Sequence, residues 1–196
     1  MANVFAIHSV GNSLVTYLSN SYPEPLRTDI PCQFRLLSSG ELLATADLPA
    51  ANTLSLYLYR VTMNEHLRNA SRVNGLNDAS VPLSVDLHYL MTVWANGAEA
   101  EHTILAWAMR ELYLHPVLDN SALSSEALWG AGDFIQLIPA EMTTEDATRV
   151  WNALEPPYRL SVSYIARVVR IDADRGEESR PVVAARFSYS ELEGER

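Results

Sequence analysis

The chain has 196 residues, 48% of them hydrophobic, enough for one sizeable core and short for two. Its 24 acidic residues outweigh 14 basic ones, and the net charge of −10 argues against nucleic acid or an anionic membrane as a general partner, since both reward clustered positive charge. No stretch approaches the ~20 unbroken apolar residues of a membrane-spanning helix. The start, "MANVFAIHSVGNSLVTYLSN", lacks the basic n-region and small-residue cleavage site of a secretory signal. The lone Cys32 can form no internal disulfide, which agrees with a reducing compartment. A cytoplasmic protein is therefore expected. Every basic residue is Arg and none is Lys; the guanidinium fork suits carboxylate pairing at interfaces, though genomic base composition accounts for the same bias.

Along the chain, Val4, Ile7, Val10, Leu14, Val15 and Leu18 keep close to the spacing of a helix with one apolar face. Pro23 and Pro25 end it in a turn-rich connection. "QFRLL" (33–37) predicts a short strand and "SSG" a turn after it. "NTLSLYLYRVT" (52–62) alternates strictly, with Leu54, Leu56 and Leu58 on one face and Ser55, Tyr57 and Tyr59 on the other. Residues 63–80 are polar and rich in Asn and Ser, a long loop of the kind that is usually functional or mobile. "VPLSVDLHYLMTVWA" (81–95) predicts a strand with Val85, Leu87, Tyr89, Met91 and Val93 on a core face. Ser84, Asp86, His88 and Thr92 then share a partly wet face with Leu90 and Trp94.

A helix is expected over roughly 98–114, with Ile104, Leu105, Ala108, Met109 and Leu112 inward and Pro116 as its stop. "DFIQLIP" (133–139) reads as a strand. The next helix starts at Thr143 or Thr144 as N-cap, turns Val150, Trp151 and Leu154 inward and breaks at Pro156-Pro157. "RLSVSYIARVVRI" (159–171) is a long alternating strand; a charged turn (172–179) and a return strand (180–190) would complete a hairpin. The order predicts an α+β domain, with a mixed, largely antiparallel sheet flanked by about three helices.

Asp86 and His88, two apart on one strand face, are the first candidates for chemistry. A metal site would need at least one further ligand, and His8, His66, His102 and His115 form no H-x-x-x-H or H-E-x-x-H pair with each other. The simpler account is two polar positions on the wet face of a strand. His115-Pro116 closes a helix, where an imidazolium favours the negative end of the dipole. Cys32 sits beside a proline in a turn with no matched His, and there is no G-x-S-x-G, G-x-G-x-x-G or Walker A pattern. Glu145 and Asp146 read as first-turn helix acids. No enzyme motif, cofactor or metal site is legible.

The C-terminal region offers a different feature. Arg159, Arg167, Arg170, Arg175, Arg180 and Arg186 make a local basic patch in an acidic chain. They are either solvated strand positions or an interface that meets acidic partner residues through bidentate pairs. By parity Arg167 shares a face with Ser161, Ser163 and Ile165, and Arg170 lies on the other. The terminal hairpin would also leave an edge strand open to pairing with another subunit.

Four ordered blocks, "LSLYLYRVTMNEHLRN", "PLSVDLHYLMTVWA", "EHTILAWAMRELYLHPVL" and "WNALEPPYRLSVSYIARVVRID", resemble the N-terminal domain of the Pvc16-like (DUF4255) family. The likeness runs from the first helix to about Val183, which sets a single domain over 1–183 and leaves 184–196 as the end of the last strand and a tail. It implies a fold similar to phage tail terminators and a structural role, with no catalytic residues to carry over. Members act as caps or tail terminators of contractile injection systems. The expected partners are the inner tube and sheath proteins and further copies of the chain in a hexameric ring. Such a ring would cap the distal tube end, halt polymerisation and anchor the last sheath ring, after cytoplasmic assembly of a phage tail-like particle. Some relatives carry a further C-terminal domain, whereas this sequence stops at Arg196. Two other functions compete: an adaptor joining tube or sheath to a baseplate or membrane anchor, and a small metal-dependent hydrolase using Asp86 and His88.

Overall fold

A computed structural model of the chain describes residues 2–44, 51–64, 82–154 and 156–172. Among the described residues six strands form one sheet in the order β1-β2-β3-β6-β5-β4. They are β1 (Cys32–Leu37), β2 (Asn52–Met63), β3 (Leu83–Trp94), β4 (Val117–Asp119), β5 (Phe134–Ala140) and β6 (Ser161–Ile171). β1 and β2 run parallel, and every other pairing is antiparallel. The sheet is thus mixed and largely antiparallel. Among the described residues five α-helices accompany it: α1 (Ala6–Ser21), α2 (Glu24–Asp29), α3 (Ser39–Ala44), α4 (Ala98–Leu114) and α5 (Thr144–Leu154).

The three long helices are the expected ones. α1 buries Val10, Leu14 and Leu18, three positions of the predicted stripe, while Val4 lies ahead of the helix and is exposed. α4 buries Ile104, Leu105, Ala108 and Leu112, and Met109 points outward instead. α5 is capped by Thr143, whose Oγ1 accepts the N–H of Asp146 at 3.1 Å. The two short helices were not expected. α2 begins within "PEP", because proline's fixed φ suits the first turn of a helix as well as a break. α3 opens with a capping box: Ser38 N–H donates to Glu41 Oε2 at 2.8 Å, and Glu41 N–H approaches Ser38 Oγ at 3.4 Å.

α1 and α4 cover one face of the sheet. Their apolar stripes meet Leu54, Leu56, Val85, Leu87, Tyr89, Met91 and Val93 in the main core. Each large aliphatic side chain buried there contributes about 1.5–3 kcal/mol. α1 lies close to the sheet at Gly11, where a Cβ would come within 2.8 Å of Leu36 Cδ1 and 3.2 Å of the Tyr89 hydroxyl. The opposite, outer face carries a second and smaller core in which Leu37, Leu42, Leu90, Trp94, Trp151 and Leu154 pack together. β3 is consequently buried on both faces along its second half. Leu90, Thr92 and Trp94, grouped by parity with the wet positions, are covered by α3 and α5. Only the first half of that face, at Asp86 and His88, stays partly open. The predicted loop at 63–80 lies outside the described residues beyond Asn64, as does the predicted hairpin beyond Asp172.

Candidate interaction surface on the outer sheet face

Asp86 and His88 point to the outer face from the half of β3 that no described helix covers. Register places Thr62 of β2 opposite Asp86 and Arg60 opposite His88. Thr62 Oγ1 lies 3.0 Å from His88 Nε2, and Asn64 Nδ2 lies 3.3 Å from each Asp86 oxygen. Arg167 Nε reaches Asp86 Oδ2 at 3.4 Å from the other side. Tyr59 meets the His88 ring edge-on at 6.0 Å, and its hydroxyl lies 2.9 Å from Ser163 Oγ. Burial, and then the charge of Arg60, holds His88 below the ordinary imidazole value, against the upward pull of Asp86. Asp86 and His88 are thus embedded in a polar network of their own chain. Among the described residues no three His, Cys, Asp or Glu side chains converge as metal ligands would.

One irregularity changes the arginine geometry. Along β3 and β6, Leu87 pairs with Ala166 but Val85 pairs with Val169, so Arg167 and Val168 together oppose Asp86. This is a β-bulge, in which one strand carries an extra residue. Past the bulge the alternation of β6 is inverted. Arg170 therefore pairs with Ser84 and shares the outer face with Arg167, where simple parity had placed them on opposite faces. The two guanidinium groups now border one cleft of about 330 Å³, whose other wall is Trp129 and residues 132–136. Phe134 is 61% exposed at its mouth. Trp129 is held by its indole N–H, which donates to Ser9 Oγ at 2.9 Å.

The remaining sequence candidates sit elsewhere. Arg159 stands at the opposite end of β6, with Cζ 5.1 Å above the Trp94 ring. Arg175, Arg180 and Arg186 lie outside the described residues. His115 is the C-cap residue of α4, its Nε2 3.8 Å from Glu111 Oε1. Cys32 opens β1 and does not sit in a turn; burial pushes its thiol up to about 12, which leaves it protonated and unreactive near neutrality. Sequence reasoning missed Phe134, Gln136 and Trp129 as neighbours of the arginines. A single "DFIQLIP" run gives no sign of which strand lies beside it.

The model of the Pvc16 N-terminal domain matches residues 9–185. The chain belongs to the Pvc16 N-terminal domain family. Its fold is that of two solved structures. One is the sheath/tube terminator of PVC, an extracellular contractile injection system, in the extended state, at 17% identity and a TM-score of 0.56. The other is the tube-terminating cap of the anti-feeding prophage, at 18% identity and a TM-score of 0.55. Both alignments cover 96% of this Pvc16-type chain but only 64% and 62% of the respective structures, so it spans less than two thirds of their length. A search of curated proteins gave no match.

Proposed function

We propose that this chain is a structural subunit that terminates the tube of a contractile injection system. The observation that carries the reading is the shared fold. Nearly the whole chain superposes on a sheath/tube terminator and on a tube-terminating cap, within the family that its sequence belongs to. In the proposed role it docks on the distal end of the inner tube, stops its polymerisation and holds the last ring of sheath. Six copies would close a ring through heterologous contacts, in which two different surfaces of each subunit meet. Such a subunit needs broad surfaces and no reaction centre. The network around Asp86 and His88 supports that, because Asp86 meets Asn64 and Arg167 and His88 Nε2 meets Thr62 within the chain. Assembly takes place in the cytoplasm in this reading, with tube and sheath proteins as partners. Among the described residues no helix is long and apolar enough to cross a membrane.

Deleting the gene and measuring particles by electron microscopy tests this. Tubes of irregular and greater length, with sheath lost from their distal ends, are expected. Particles of normal length and normal sheathing overturn the reading.

A further inference from the structure

We propose that the cleft between β5 and β6 is a docking site for an extended acidic segment of another protein, one that alternates carboxylate and apolar side chains. The first observation is a gap in the sheet. β5 and β6 pair only from Ala140–Ser163 to Gln136–Arg167, although β5 continues to Phe134 and β6 to Ile171. Beyond the gap, Ala2 bridges to Ile171 and its carbonyl accepts the Asp172 N–H at 2.9 Å. The β5-facing edge of Val168, Val169 and Arg170 is left without a strand partner among the described residues. A stretch of strand edge with no strand partner among the described residues favours an extended ligand, whose backbone supplies the hydrogen bonds.

The second observation is the chemistry of the walls. The Arg170 side chain is exposed and makes no ion pair or hydrogen bond among the described residues. Arg167 meets Asp86 through its Nε at 3.4 Å and its side chain is 42% exposed, so a second carboxylate can approach its Nη side. Asp133 also lines the cleft, with its Oδ2 accepting the Gly130 N–H at 2.7 Å, which closes the turn that forms the wall. Phe134 and Trp129 provide the apolar surface between these charges. The cleft is at the small end of the range for specific sites, ~300–1,000 Å³, so it takes a few side chains and not a folded surface. A chain of net charge −10 repels a long polyanion more strongly than a short segment carrying a few carboxylates.

The site is independent of the cap reading: binding measured on the isolated protein can fail while particle length still depends on the gene, and the reverse. The test is selection of a displayed random decapeptide library on the immobilised full chain. Enriched peptides are expected to alternate Asp or Glu with apolar residues. A labelled consensus peptide should lose roughly tenfold or more in affinity on Arg170→Glu and on Phe134→Ser. Arg159→Glu, at the far end of β6, should bind as the wild type does. The Arg170 side chain is exposed and makes no ion pair or hydrogen bond among the described residues, and circular dichroism checks that its variant is folded. Failure to enrich any peptide, enrichment of neutral or basic peptides, binding unchanged by Arg170→Glu, or equal competition by a poly-dT oligonucleotide each overturns the proposal.

Discussion

At Asp86 both carboxylate oxygens are met from within the chain, by the Asn64 amide and the Arg167 guanidinium. The Asp86 side chain is only 13% exposed and Asn64 is 6% exposed, whereas the Arg167 side chain is 42% exposed and can be solvated. Asp86→Ala would remove the acceptor shared by the buried Asn64 amide and the part-exposed Arg167, and a loss of about 1–3 kcal/mol is expected. Urea denaturation should show it as a lower midpoint with an unchanged m-value. His88 carries a separate signature. Its folded pKa is depressed by burial and by Arg60, so the unfolded chain binds its proton first as pH falls. Stability is then full above the unfolded value, ~6.5, and is lost progressively as pH drops toward the folded value. Melting temperatures taken between about pH 7 and pH 5 should fall more steeply for the wild type than for His88→Gln. Equal slopes would assign the pH dependence to other groups.

The second core depends on α5, a helix that meets the outer face of the sheet mainly through Trp151 and Leu154. Trp151 is 2% exposed and packs edge-on to Trp94 at 5.8 Å. Trp151→Ala should cost about 3–5 kcal/mol. Trp151→Phe should cost clearly less, because the indole N–H has no hydrogen-bond partner among the described residues and its removal also removes an unpaired donor. Chemical denaturation of the two variants side by side measures the difference, and equal losses would show that the N–H is satisfied in solution. At this scale the sequence was legible wherever an element carried a long period. The alternation of 52–62 and 83–95 and the apolar stripes of α1 and α4 all gave the correct type. The short helices fell below that window. The S-x-x-E box at Ser38 was nonetheless present to be read, and "PEP" signalled a helix start as well as a stop. The outer-face placement of Arg170 was not legible. Alternation assumes an uninterrupted ladder, and a bulge is set by the partner strand's register, which no local pattern in β6 contains.

For the molecule as a whole, one sheet serves two purposes. Its inner face is sealed by α1 and α4, and the outer face is sealed over half its area by α3 and α5. The other half presents Arg167, Gln136, Phe134 and Val117 in adjoining register across β6, β5 and β4. That division agrees with the proposed role as a subunit that works through contact. The bulge in β6 gives this surface an unusual kind of encoding. Its charge follows not from which residues β6 contains alone but from where the extra residue is taken up. A relative one residue shorter between Ala166 and Val169 would pair as a regular ladder with both arginines still on the outer face, whereas the present residues paired without the bulge would turn Arg170 toward the helices. Within such a lineage, gain of a residue without a bulge to absorb it would redirect the surface more sharply than a substitution, and a comparison of sequences by residue identity alone would overlook the change.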